Sequence, residues 1–158
     1  MIIQNFDERD AVTIRRAMPK DAPKLLPLVK AYRVFYEQEP DAEREREFIE
    51  GHLRKHTSVI YLAEIDGRAV GFMQLFKTGS TVHLCASWIL EDLFVDPAYR
   101  HAGAASALLS NALQHARLDG GGSMFLETAH DNLAAQALYE KAGWKREGRF
   151  IKYNAPLA

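Results

Sequence analysis

The chain is poor in several things, and each scarcity removes a class of function. A single cysteine, Cys85, stands among 158 residues, so neither a disulfide framework nor a cysteine-based metal site is available. A reducing compartment is compatible with that usage. The formal net charge is only −1, which gives no broad attraction to nucleic acid or to an anionic membrane. Nucleic acid is therefore not expected as a partner. No apolar run approaches the ~20 residues needed to span a bilayer. The opening MIIQNFDERD has neither the basic start nor the apolar core of a secretory signal, and the expected location is cytoplasmic. Repeats, low-complexity tracts and linker-like composition shifts are also missing, so residues 1–158 are read as a single domain, long enough to bury about two-thirds of the surface its unfolded chain would expose.

What is present is ordinary for a globular protein, 47% hydrophobic and 26% charged, with one stretch that is not. From Trp88 to Ala116 the sequence reads WILEDLFVDPAYRHAGAASALLSNALQHA. Its first half is apolar on both faces of an ideal strand, with Trp88, Leu90, Asp92 and Phe94 on one side and Ile89, Glu91, Leu93 and Val95 on the other. That predicts a covered, central strand. Glu91 and Asp92 interrupt it on opposite faces, and an ionised carboxylate in such a strand needs a partner or a purpose. Asp96-Pro97 then ends the strand. Arg100, His101, Ala102, Gly103, Ala104, Ala105 and Ser106 follow as a turn into a helix. Bare backbone N–H groups at a helix start and a fixed positive charge suit an anion such as a diphosphate.

The other elements follow from periodicity. Val12 and Ile14 alternate in a first strand. Asp21, with Pro23 just beyond it, is placed to cap a helix running to about Gln38, with Leu25, Leu28, Val29, Tyr32, Phe35 and Tyr36 at helical spacing. Asp41 to Lys55 reads as a second helix with Phe48, Ile49 and Leu53 inward and its alternating charges in solvent. Ser58–Ile65 and Arg68–Lys77 flank Asp66-Gly67, a strong hairpin signal; Thr78 to Ala86 reads as a loop. A helix with Leu108, Leu109, Ala112, Leu113 and Ala116 on one side ends near Gly120. Ser123–Thr128 is a short strand, which a right-handed crossover makes parallel to the central one. Asp131 or Asn132 caps a last helix that Gly143 closes. Trp144–Gly148 and Arg149–Asn154 read as closing strands.

Arg100-x-x-Gly103-x-Ala105 after a Leu-Phe-Val strand resembles the acyl-CoA pyrophosphate signature of the GCN5-related N-acetyltransferases (GNAT). Asn132-Leu-Ala-Ala-Gln-Ala-Leu-Tyr139-Glu-Lys-Ala-Gly143-Trp is similar to that family's other cofactor-side helix, and Leu90-Glu-Asp-Leu-Phe-Val95 is similar to its polyamine and yeast histone/polyamine branch. The resemblance implies an α/β (α+β) fold with a mostly antiparallel mixed sheet of six to seven strands, about four helices and splayed parallel strands at the cofactor. It implies acetyl-CoA held by the backbone of Leu93, Phe94 and Val95, by Arg100 to Ser106, and by Asn132 and Ala135. It also implies Tyr139 as general acid, and Tyr32, Phe35, Tyr36 and Glu37 beside the acceptor. Similarity to the polyamine branch points to Glu91 as the base, with Asp92 competing; a carboxylate there could equally bind the substrate ammonium. No metal is implied. The expected acceptor is a small cationic amine such as a polyamine, with a protein lysine, an amino acid, an antibiotic or a non-catalytic acyl-CoA sensor as alternatives, and a homodimer is expected by resemblance.

His101-Ala102 and Ala105 depart from the commoner basic and glycine residues of that signature. Charge and flexibility are reduced, while the N–H groups remain.

Overall fold

The computed structural model describes residues 11–158; the opening segment weighed above as a possible signal lies outside the described residues. The chain divides into two compact units between Glu127 and Thr128.

The first unit is a five-stranded sheet in sequence order, β1 (Val12–Arg16), β2 (Val59–Ile65), β3 (Arg68–Ser80), β4 (Cys85–Val95) and β5 (Ser123–Phe125). The first four are antiparallel neighbours, and β5 runs parallel to β4. Asp66 (φ 50°) and Gly67 (φ 71°) make the tight turn between β2 and β3, the double left-handed geometry that a twisted hairpin requires. Thr78 to Ala86 is not a loop: β3 and β4 stay paired out to Ser80 and Cys85, so the hairpin is longer than its polar tip suggests.

Helices α1 (Ala22–Phe35) and α2 (Ala42–Lys55) cover one face of the sheet. Leu25, Leu28 and Val29 of α1 and Ile49 and Leu53 of α2 bury against Ile60, Leu62, Phe72 and Phe94. Helix α3 (Ala104–Leu118) crosses the other face, burying Leu108, Leu109 and Ala112. Asp21 does not cap α1 with its side chain. Its carboxylate instead accepts the Met18 N–H at 2.7 Å and a bidentate pair from Arg15 at 2.8 Å, closing a one-turn 3-10 helix, Pro19–Asp21. Glu64 is also buried, held by Arg15 and by Lys24.

The second unit contains α4 (Leu133–Lys141), capped by Asn132, whose Oδ1 accepts the Ala135 N–H at 3.2 Å. Gly143 (φ 90°) follows it in the left-handed conformation expected. The two closing strands are not formed: residues 144–158 contain no strand, so the described sheet has five strands rather than six or seven. Glu147 takes both the backbone N–H and the guanidinium of Arg149, a local arrangement that uses a donor a ladder would need.

Candidate active site

The site begins with a break in the β3–β4 register. Gln74 pairs with Asp92 and the next residue, Leu75, pairs with Leu90, so Glu91 is an extra residue bulged out of β4. A bulge shifts the alternation of side chains beyond it. Trp88 therefore faces α3, packing on His115 with ring centroids 4.8 Å apart, whereas Phe94 faces α1, 5.6 Å from the ring of Tyr32. The expected common face of Trp88, Leu90, Asp92 and Phe94 is thus divided. The expected opposition of Glu91 and Asp92 is overturned too, because both line the same cavity.

That cavity, about 640 Å³, lies between α1, α2 and the strands β3 and β4. Its sheet wall carries Glu91, Asp92, Gln74, Phe72 and Phe76; its helix wall carries Tyr32, Arg33, Arg44, Glu45 and Phe48. A volume of this size suits a small molecule. Burial and the neighbouring Glu91 charge push the Asp92 carboxyl up to about 6, opposed by a hydrogen bond that the Tyr32 hydroxyl donates to it. An acid poised there is ionised at neutral pH yet basic enough to accept a proton.

Of the acceptor-side residues expected from sequence, Tyr32 lines the cavity, but Phe35, Tyr36 and Glu37 do not. They lie at and past the end of α1, with Phe35 and Tyr36 exposed and stacked edge to face at 5.1 Å. The helix wall held surprises. Glu45 was expected in solvent but is buried, accepting from Arg33 at 2.6 Å and from the Asp41 N–H at 3.2 Å. Phe48 was expected inward and is half exposed at the cavity, packed on His52. The signal available in the sequence was the spacing of Arg44, Glu45 and Phe48, one helical turn that a solvated-face reading conceals.

Next to this cavity β4 loses its parallel partner. Its pairing with β5 ends at Ile89–Phe125, while β4 continues to Val95. From Leu90 onward no described strand pairs with that edge, so backbone groups along Leu93, Phe94 and Val95 are available to a ligand. Beyond the strand, Arg100 Nε donates to the Val95 carbonyl at 3.3 Å, which tethers its side chain at the strand end. His101 (φ 66°) and Gly103 (φ 86°) are both left-handed and deliver the chain into α3. Gly103 provides no side-chain cap, and the N–H groups of Gly103, Ala104, Ala105 and Ser106 have no acceptor among the described residues. Open space lies where a Cβ on Gly103 would project. Uncapped N–H groups, an open approach and a tethered arginine together fit a diphosphate.

This coincidence of a cradle, a frayed parallel edge and an acidic cavity decides the family when set beside known proteins. A model described as the acetyltransferase (GNAT) family matches residues 25–144. The chain belongs to the GNAT family. It is an N-acetyltransferase, and enzymes of this family use acetyl-CoA. An uncharacterized N-acetyltransferase, YhfO of Bacillus subtilis (strain 168), is 39% identical over 142 residues, which is 90% of this chain and 95% of that protein. The crystal structure of a probable acetyltransferase superposes with a TM-score of 0.88 at 36% identity, covering 92% of this chain and 98% of the other. An aminoglycoside N-acetyltransferase, AAC(6')-Iy, solved in complex with CoA, shares the fold at a TM-score of 0.77 and 21% identity, covering 92% of this chain and 95% of the other.

The GNAT match spans both compact units. In the second, Asn132 spends its side-chain oxygen on the α4 cap, and the Ala135 N–H answers it. The ring of Tyr139 lies 6.3 Å from that of Trp144.

Proposed function

We propose that the protein binds acetyl-CoA and transfers its acetyl group to a small primary amine by direct attack within a ternary complex, the whole chain acting as one acetyltransferase domain. The observation that carries this reading is the bulge at Glu91, which puts Glu91 and Asp92 into one cavity beside the unpaired edge of β4. When bound, acetyl-CoA supplies the thioester carbonyl as electrophile and its sulfur as leaving group. The N–H groups of His101 to Ser106, with Arg100, hold the pyrophosphate. The edge of Leu93 to Val95 would hold the pantetheine arm. An ammonium near pKa 10.4 must lose a proton before it can attack. Asp92, raised to about 6, takes that proton, and Glu91 draws the ammonium in. Tyr139 donates a proton to the departing thiolate.

Carboxylates on the sheet wall support a cationic reacting end, which a polyamine and an amino acid share; the two differ at their other ends. A cytoplasmic homodimer remains our reading of location and assembly, to be checked by mass in solution.

The test is CoA release from acetyl-CoA across polyamines, amino acids, aminoglycosides and lysine peptides, repeated with Tyr139→Phe. Wild type is expected to release CoA with at least one amine. The variant should turn over roughly 10²-fold more slowly while still binding acetyl-CoA, and unchanged turnover removes Tyr139 from the mechanism. Binding of acetyl-CoA with no release across the whole panel would make the protein a sensor instead.

A further inference from the structure

The cavity is not uniformly acidic. Its sheet wall bears the carboxylates of Glu91 and Asp92, and its helix wall bears the guanidiniums of Arg33 and Arg44 against the single carboxylate of Glu45. Arg33 spends one nitrogen, Nη1, on Glu45. The Arg44 guanidinium has no hydrogen bond or ion pair among the described residues, while its backbone N–H donates to the Asp41 carboxylate at 3.1 Å. Phe72 and Phe76 on the sheet wall and Phe48 on the helix wall give the same cavity apolar surface. Such a cavity has an anionic wall, a cationic wall and apolar surface on both.

A polyamine satisfies only the first of these. Its second ammonium would meet a helix wall with a net positive charge, and a like-charge approach in a partly enclosed cavity is unfavourable. We propose that the acceptor is a zwitterion, an apolar amino acid or a closely similar amino-carboxylate. Its ammonium is held by Glu91 and Asp92, its carboxylate by Arg44, and its side chain by Phe48, Phe72 and Phe76. The inference rests on the acetyl-transfer reading above and names the substrate class of the same site. Arginine is suited to that role because its planar fork meets a carboxylate in two parallel hydrogen bonds. Glu45 holds Arg33 in a neutral pair at 2.6 Å, which leaves Arg44 as the unpaired charge of the helix wall. Acetylation would convert the ammonium to a neutral amide and leave the carboxylate untouched. The product then keeps its grip on Arg44 but loses its grip on the sheet wall, which favours release from that side.

The experiment compares phenylalanine, leucine and methionine with their amides and with spermidine, reading CoA release at saturating acetyl-CoA, in wild type and in Arg44→Gln and Arg44→Lys. Wild type should prefer each acid over its amide by roughly tenfold or more in kcat/KM, the scale of one charge-assisted pair. Arg44→Gln should abolish the preference through KM, and Arg44→Lys should restore part of it. Arg44 is exposed, so neither change removes core packing, and circular dichroism confirms folding. Amides or spermidine used as well as the acids would overturn the zwitterion while leaving acetyl transfer standing; so would an acid preference that survives Arg44→Gln. Release of no CoA with any acceptor here or in the wider panel would instead defeat the acetyl-transfer reading itself.

Discussion

At the scale of the residue, Asp92 concentrates the conflict between stability and activity. Its carboxyl is raised from 3.8 to about 6 by burial and by Glu91, so the folded state binds a proton that the unfolded state has already released between those values. Stability from this group is present below the unfolded value and is lost as pH rises through about 6. The proposed chemistry needs the opposite form, because only the carboxylate can accept a proton. Two outcomes are expected of Asp92→Asn. The rise of kcat/KM with pH near 6 disappears, and the melting temperature at pH 7.5 increases, with the gain shrinking toward pH 4. Glu91→Gln should leave the limb in place at a lower midpoint, since it removes the like charge that helps to raise Asp92. A pH limb that persists unchanged in Asp92→Asn would transfer the role of base to Glu91.

At the scale of the element, the hairpin of β3 and β4 sets the site, and Gly71 sets how closely its strands approach. A Cβ at Gly71 would lie 2.8 Å from the Phe94 carbonyl oxygen and 3.1 Å from a Val95 methyl. Gly71→Ala should therefore push β4 outward at the end that presents Leu93 to Val95, costing about 1–3 kcal/mol as overpacked sites do. Acetyl-CoA affinity should fall with it, whereas Gly67→Ala, with open space around it, should cost stability through its φ of 71° without moving that edge. Denaturant midpoints and acetyl-CoA titrations of the two variants separate these effects. The hairpin itself was legible in the sequence because Asp66-Gly67 and the alternation beside it are local signals. The bulge was not, because an extra residue announces itself only against a partner strand, and nothing in the LEDL stretch names Gln74 and Leu75 as that partner. The helix wall failed for the same reason: the buried pairing of Glu45 with Arg33 depends on two helices meeting, and α2 by itself reads as a charged, solvated face. The closing strands were over-read, since alternation in residues 149–154 shows what could form a ladder and not whether an edge receives it.

At the scale of the whole molecule, the two compact units differ in what holds them. The first buries Leu25, Leu62, Phe72, Met73, Leu75 and Leu108 almost completely, while α4 of the second buries no residue. Each unit happens to carry one tryptophan, Trp88 in the first and Trp144 in the second. Single-tryptophan variants, Trp88→Phe and Trp144→Phe, therefore report the units separately. Trp144 fluorescence is expected to change at lower denaturant than Trp88, because local opening follows apolar burial. Coincident midpoints would show instead that the units unfold as one.

The sequence by itself specified the turn into α3 from Arg100 to Ser106, because a helix start, a glycine and a nearby arginine all lie within seven consecutive positions. It also determined the family, through two motifs that each lie on one local element. Only the tertiary structure decided how the acidic cavity is built. Glu91 and Asp92 share a cavity because β4 bulges against β3, and Arg44 lines the same cavity because α2 packs beside α1 over the sheet. Contacts between residues far apart in the chain have no local signature, and here they build the cavity that Glu91, Asp92 and Arg44 line.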